Sequence, residues 1–544
     1  MGLFKKKEIW KPEERGGIVV GYDSKKKIYY FESDTKHSLI TGVTGSGKTK
    51  RVFIPSILTA ISYGDSFIAN DTKKELYYTL KTLLEEKGYD VLLIDYRFPE
   101  FGQRYNFMDD VIHNVKAGKD DEAQMESADL VATLLPRPKT GEPMWTDGAR
   151  SAIEATILGL AVSEDIPQSA KNISNVFYNI MKLGRQTGKT TPIDEYFKSG
   201  ERSYIETVAY GNYGMSSSKV RMSFNSLATS SIREFTYKKI TKQTSMSDFN
   251  IRDYAQKDSK PVAIFVVNPD EKETLERLST TFIEAMYRKL TEESNKMPGS
   301  KLPRRWHFYL DEFTNMGKLK DFSKRLTVSR GRNIIYHLGV QADKMLDSTY
   351  GKDDADVIRK NTSVKVWLTA PDTEDRKFIQ EAVGQESVIG TNKNKRERGL
   401  FDLSISKDSL SLSSKKKQLI STEFLTLMGG VGYEQDAVVK KTGMFAFKTK
   451  LPFWMECNYA EFIKPISYED EIERKDDETL EYWKLLPVEE ALEESGAGSQ
   501  DMGESQEVNQ TQSGEDKELA DSVSFLDESY EYDPANVEYP DYDS

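Results

Sequence analysis

The octapeptide Gly42-Val43-Thr44-Gly45-Ser46-Gly47-Lys48-Thr49 follows directly on the apolar run Ser38-Leu39-Ile40, and no other stretch constrains the fold as tightly. Glycines at this spacing let a backbone turn its N–H groups inward around phosphate oxygens, the lysine adds a mobile positive charge, and the threonine hydroxyl can ligate Mg²⁺. The loop must therefore join a buried strand to a helix whose positive end faces the phosphates. Val52, Phe53, Ile54, Ile57, Leu58 and Ile61 continue at near-helical spacing, and Pro55 predicts a kink or local break among them. Gly42, Thr44, Gly45, Ser46, Gly47, Lys48 and Thr49 are the expected nucleotide-binding residues, with Thr49 also a metal ligand.

A phosphate loop alone does not choose between a kinase, a GTPase and a motor. The run Trp306–Leu310 reads as a buried strand that delivers Asp311 and Glu312 at its carboxyl end. Ligands of open α/β sheets bind where strands end, so Asp311 can complete a Mg²⁺ shell while Glu312 orients and polarises an attacking water. A further strand, Ile334–Val340, ends in Gln341, whose side chain can sense a γ-phosphate. Guanine recognition would need an Asn-Lys-x-Asp tetrad; Asn392-Lys393-Asn394-Lys395 lacks the aspartate, which leaves ATP as the expected nucleotide, with Mg²⁺.

Between Asp109 and about Asp258 strand–helix alternation gives way to helical stretches such as Asp121–Leu135 and Asp147–Val162, and strand signals resume at Val262–Val267. The expected fold class is α/β, a RecA-like phosphate-loop domain interrupted by an inserted all-α domain. From Pro487 to Ser544 there are 18 acidic residues and one lysine among Gly, Ser and Gln runs, the composition of a disordered acidic tail. That tail carries −17 of a chain whose net charge is −12, so residues 1–486 stand at +5 and the overall acidity is no objection to a nucleic-acid partner. Basic clusters lie at Lys393–Arg398, Lys415–Lys417 and Arg304-Arg305. The single cysteine, Cys457, excludes a disulfide framework and suits the cytoplasm, and the four histidines show no metal-ligand spacing. No run approaches the roughly 20 apolar residues of a spanning helix.

Taken together, these motifs resemble the type IV coupling proteins of conjugation and type IV secretion, the TraG/TraD-like DNA-translocating ATPases. The resemblance rests on the phosphate loop, Asp71-Thr72-Lys73-Lys74-Glu75-Leu76, Arg104-Tyr105-Asn106, Leu310-Asp311-Glu312-Phe313, Ser329-Arg330-Gly331-Arg332 and Gln341, and covers roughly residues 36–460. Thr72, Lys74 and Phe107 replace the family's Pro, Gly and Pro, which puts local turn geometry in question. The resemblance implies a nucleotide-binding domain at 36–108 and 259–465, an all-α domain at 109–258, an N-terminal segment at 1–35, a connector at 466–486 and the tail at 487–544. It implies that Arg330, 11 residues before Gln341, serves as a finger across a subunit interface, with Arg332 its close competitor. The implied partners are single-stranded DNA, a relaxase with accessory DNA-processing proteins, type IV secretion channel components and copies of the chain itself in a hexamer. Coupling proteins usually carry amino-terminal spanning helices; a separate membrane-anchor protein or the basic amino terminus is the expected substitute, holding a cytoplasmic chain at the inner face of the membrane. Two alternatives remain open, a protein-only secretion ATPase and a nucleotide-gated docking adaptor.

Overall fold

The computed structural model describes residues 15–138, 141–185, 191–198, 202–269, 273–393, 410–457, 459–474 and 482–485. The expected acidic tail, most of the basic cluster Lys393–Arg398 and the amino-terminal Met1–Lys7 lie outside the described residues.

Among the described residues the strands are β1 (Ile18–Asp23), β2 (Ile28–Glu32), β3 (Ser38–Thr41), β4 (Ser66–Asn70), β5 (Asp90–Asp95), β6 (Val262–Val267), β7 (Trp306–Leu310), β8 (Ile334–Val340), β9 (Val364–Trp367), β10 (Gln385–Lys393), β11 (Leu410–Gln418), β12 (Asp436–Lys441) and β13 (Phe447–Lys450). Eleven form one sheet in the order β2-β1-β13-β12-β9-β3-β8-β7-β4-β6-β5, and β10 and β11 pair separately as an antiparallel hairpin. The run from β9 to β5 is parallel throughout, while β12, β13, β1 and β2 extend it antiparallel. Parallel strands covered on both faces read as unbroken apolar runs rather than alternating ones. Accordingly β3, β4, β6, β7 and β8 are buried at every position. Apolar cores fill both faces of the sheet, with a third, smaller cluster around Trp367 and Val438.

After β3 the chain makes a wide turn over Thr49–Phe53, in which Ile54 N–H donates to Thr49 O, before the α-helix Ile54–Tyr63 begins. Pro55 thus falls in the first turn of that helix, where its missing N–H leaves no bond unmade, and the break anticipated from the proline is taken up on its amino-terminal side.

Between β5 and β6 every element among the described residues is helical. The 20-residue helix Pro143–Val162 packs against Ile173–Leu183, Tyr204–Gly214 and Ser218–Ser231, and their apolar core runs on into one face of the sheet. The junction uses Arg104-Tyr105-Asn106: Arg104 grips Asp248 through Nε and Nη2, and Asn106 Nδ2 donates to Lys171 O and Ser245 O. A carboxyl-terminal strap crosses the same region. Ile466 N–H bonds to Tyr78 O, Tyr468 packs on Phe98 and Phe101, and the Trp483 and Leu485 amides bond to Asn175 and Asn179 of the helical insertion.

Lys74, at the position of the family's glycine, takes the left-handed conformation that glycine would take, with φ 57°. Such a residue carries roughly 1–2 kcal/mol of strain. It is held in place by its buried ammonium, which lies 2.5 Å from Asp95 and 2.6 Å from Glu471 of the strap.

Candidate active site

β8 lies between β3, which feeds the phosphate loop, and β7, which ends in Asp311; the loop, the carboxylates and Gln341 therefore leave neighbouring strands at one edge of the sheet. Gly42 N–H donates to Val340 O at 3.0 Å, which sets the loop beside Gln341. Gly45 and Gly47 take φ 78° and 79°, a conformation disfavoured for residues with a Cβ, and so turn the loop back on itself. Lys48 is buried, and its Nζ donates to the loop's own carbonyl of Gly42 at 2.8 Å.

Thr49 Oγ1 donates to Asp311 Oδ2 at 2.6 Å. Burial pushes the Asp311 carboxyl up, while Lys48 and the Thr49 hydroxyl hold it down. Two hard oxygen donors thus meet at one point, the pattern suited to Mg²⁺, which takes one or two protein oxygens and fills its octahedron with water and substrate phosphates. No group of three or more His, Cys, Asp or Glu able to hold a metal occurs among the described residues.

Glu312 follows with φ 54°, a left-handed turn that swings its side chain away from that of Asp311. Its backbone N–H donates to Asp311 Oδ1 at 3.0 Å, and Asn315 Nδ2 donates to its Oε2 at 3.2 Å. A half-buried carboxylate beside the metal donors, held by an amide, can align a water against a phosphoryl group.

Arg330 and Arg332 are elsewhere. They form the turn between the helix Phe322–Ser329 and β8, at the amino end of a strand whose carboxyl end bears Gln341. Seven residues of strand span about 23 Å, so neither arginine reaches the phosphate loop of its own chain. The two differ in commitment. Arg332 donates to Val328 O and Asn295 Oδ1, whereas the exposed guanidinium of Arg330 has no hydrogen-bond or ion-pair partner among the described residues.

Several supporting residues escape sequence reasoning because burial, not motif, gives them their roles. Arg51 lies beneath the loop, donating to Ser46 O and Asp436 O, and burial lowers its guanidinium to about 10. Asn70, at the tip of β4, donates to Asp311 O at 2.9 Å. Asp343 Oδ2 accepts from both Thr41 Oγ1 and Trp367 Nε1, tying the root of the phosphate loop to the segment after Gln341. A buried chain also crosses the sheet: Ser38 Oγ meets His337 Nδ1, His337 Nε2 meets His307 Nδ1, and His307 Nε2 meets Asp65. These histidines are core hydrogen-bonding groups; burial pushes both His307 and His337 well below the ordinary imidazole value.

The sequence matches the family described as type IV secretory system conjugative DNA transfer over residues 2–456. Protein VirD4 of Rhizobium rhizogenes is 24% identical over 378 residues, 69% of this chain and 53% of that protein. Conjugal transfer protein TraG of Escherichia coli is 22% identical over 405 residues, 70% of this chain and 60% of that protein. The chain spans about half the length of its VirD4 relatives. Among solved structures, the bacterial conjugative coupling protein TrwBdeltaN70 superposes with a TM-score of 0.55 at 16% identity, over 77% of this chain and 85% of that one. TrwB in complex with ADP and Mg²⁺ gives 0.53 at 17% identity over the same shares of the two chains. At such identities the likeness is one of fold, and the RecA-like α/β architecture expected from the motif order is the one observed.

Proposed function

Because the chain belongs to the conjugative DNA transfer family of type IV secretory systems, we propose that it is a coupling-protein ATPase that recruits a relaxase–DNA complex and drives single-stranded DNA into a secretion channel. The observation that carries this reading is the meeting of Lys48, Thr49, Asp311 and Glu312 at one edge of the sheet, while an unpaired Arg330 stands at the other. In this reading ATP is the substrate, and Lys48 exchanges the Gly42 carbonyl for its β- and γ-phosphates. Bound Mg²⁺, held by Thr49 and Asp311, supplies neutralisation of charge on the phosphates. Glu312 positions the attacking water, Gln341 senses the γ-phosphate, and Arg330 completes the site of an adjacent copy. The assembly is a homo-hexameric ring whose contacts to DNA are with backbone phosphates and so depend on salt rather than sequence.

Residues 36–108 and 259–465 form the nucleotide-binding domain in this reading, with 109–258 as the all-α domain that meets the DNA-processing complex. No helix among the described residues is long and apolar enough to cross a membrane. In this reading a separate anchor protein holds the chain at the inner face of the cell membrane.

Subunit mixing tests the trans role. Arginine fingers are worth about 10³–10⁵ in rate, so Arg330→Ala should nearly abolish hydrolysis while Mg-ATP still binds. Arg330→Ala subunits keep an intact phosphate loop and Lys48→Ala subunits an intact finger, so mixed rings should exceed either pure variant in activity. If subunits exchange and only Arg332→Ala restores activity, the finger is Arg332.

A further inference from the structure

A cavity of about 560 Å³ opens between the helices Lys352–Asn361 and Thr373–Val383 and the strands β9 and β12. Its wall carries four cations, Arg359, Lys360, Lys365 and Lys440, against two carboxylates, Asp356 and Glu381, and one aromatic ring, Phe378. Two of the cations are engaged. Arg359 pairs with Asp347 and Asp356 at 3.0 Å each and donates to Asp343 O at 2.7 Å; Lys440 donates to Ala382 O at the end of its helix. The ammonium groups of Lys360 and Lys365 have no hydrogen-bond or ion-pair partner among the described residues. Lys365 is half-buried, and burial, with Lys440 and Arg359 beside it, pushes its ammonium below the ordinary lysine value against the pull of Asp343. An anion in the cavity would relieve that unbalanced charge.

We propose that this cavity binds a phosphate group carried on a nucleotide, at a site separate from the phosphate loop. Its volume suits a nucleotide-sized ligand. Lys360 and Lys365 supply free ammonium donors, and Phe378 offers a ring on which a base can stack. The two sites lie at opposite ends of one strand pair: Lys365 sits opposite Leu39 near the amino end of β3, whose carboxyl end feeds the phosphate loop.

The two sites are also wired together. Lys365 and Trp367 share a face of β9 about 7 Å apart, and Trp367 Nε1 and Thr41 Oγ1 both donate to Asp343 Oδ2. Arg359, from the cavity wall, holds the Asp343 carbonyl two residues beyond Gln341. A phosphate that draws on Arg359 or Lys365 therefore acts on the loop bearing Gln341 and on the root of the phosphate loop.

The test uses the full chain carrying Lys48→Ala, which disables the phosphate loop, titrated calorimetrically with ADP and, separately, with a short oligothymidylate. Lys365→Met keeps the aliphatic stem and removes the charge, whereas Lys360→Gln changes an exposed side chain and serves if the first variant does not fold. Each should weaken binding about tenfold, the worth of one charged hydrogen bond, and lower the slope of log affinity against log salt for the oligonucleotide by about one. Lys365→Arg should retain binding. A response with ADP identifies a free nucleotide as the source of the phosphate, and a response with the oligonucleotide alone identifies a DNA backbone. Failure of both probes to bind the parent, or an affinity in Lys365→Met and Lys360→Gln undiminished from the parent's, overturns the proposal. Because no hydrolysis is asked of the Lys48→Ala chain, the result stands apart from the proposed ATPase function.

Discussion

Gly339 in β8 separates the strand that feeds the phosphate loop from the one that ends in Asp311. A Cβ at this position would lie 2.7 Å from Asp311 Oδ1 and 3.0 Å from two ring carbons of Phe53, where ordinary contact begins near 3.4 Å. Neither neighbour is a loose end: Phe53 is fully buried, and Asp311 is tied to Thr49 Oγ1 and to Glu312 N–H. Gly339→Ala therefore requires the carboxylate to retreat by about 0.7 Å. Such a shift stretches the 2.6 Å Thr49–Asp311 bond to about 3.3 Å, outside the range of a good O–H···O bond. Overpacking of this kind costs about 1–3 kcal/mol of stability, and losing a hydrogen bond to a charged group costs about 1.5–3 kcal/mol, or roughly tenfold to a hundredfold. Thermal unfolding should be measured beside titration with labelled ATP, with and without Mg²⁺. The expected result is a lowered melting temperature and a roughly tenfold to hundredfold loss of affinity confined to the Mg²⁺ form, because Lys48 and the loop amides are not displaced. Undiminished Mg-ATP affinity would refute the reasoning, whatever happens to the melting temperature.

Lys48→Ala should weaken ATP binding, while Glu312→Gln should leave binding largely intact and suppress turnover; equal loss of affinity for labelled ATP in both would contradict the assigned roles. Lys74→Met strips the partner from the buried carboxylates Asp95 and Glu471, and breaking a buried pair costs about 3–5 kcal/mol in denaturant unfolding; a loss below about 1 kcal/mol would mean that solvent already screens the cluster. Burial raises Asp71 to about 7 from 3.8, so between these values the folded chain holds a proton that the unfolded chain has released, and stability falls as pH rises through that window. Asp71→Asn should therefore lose less stability than the parent between about pH 4 and pH 7, and an identical fall in both proteins would count against the assignment.

The strand tips are legible in the sequence because each chemistry-bearing residue follows an uninterrupted apolar run: the phosphate loop after Ser38-Leu39-Ile40, Asp311 after Trp306–Leu310, and Gln341 after Ile334–Val340. Such runs are what a doubly covered parallel sheet demands. The order of those strands is not legible, since the placing of β8 between β3 and β7 depends on pairing between segments remote in the chain. The same distance hides Asp343, whose partner Thr41 lies 302 residues away, and Arg51, whose second acceptor lies 385 residues away. Pro55 announces a disturbance in the helix but not its form, because a wide turn ahead of a proline and a kink at it both satisfy a missing N–H. Lys74 shows the reverse case. The sequence marks it as an unsuitable residue for a tight turn, and only the buried carboxylates of Asp95 and Glu471 explain how it stays there.

Steady-state ATP hydrolysis by the purified full-length chain, measured with and without single-stranded DNA at low salt, tests the coupling-ATPase reading most directly. Turnover should depend on Mg²⁺, rise when single-stranded DNA is added, decline again as salt is raised, and disappear in Glu312→Gln. Nucleotide binding without turnover, with or without DNA, would contradict that reading and leave a nucleotide-gated docking adaptor in its place.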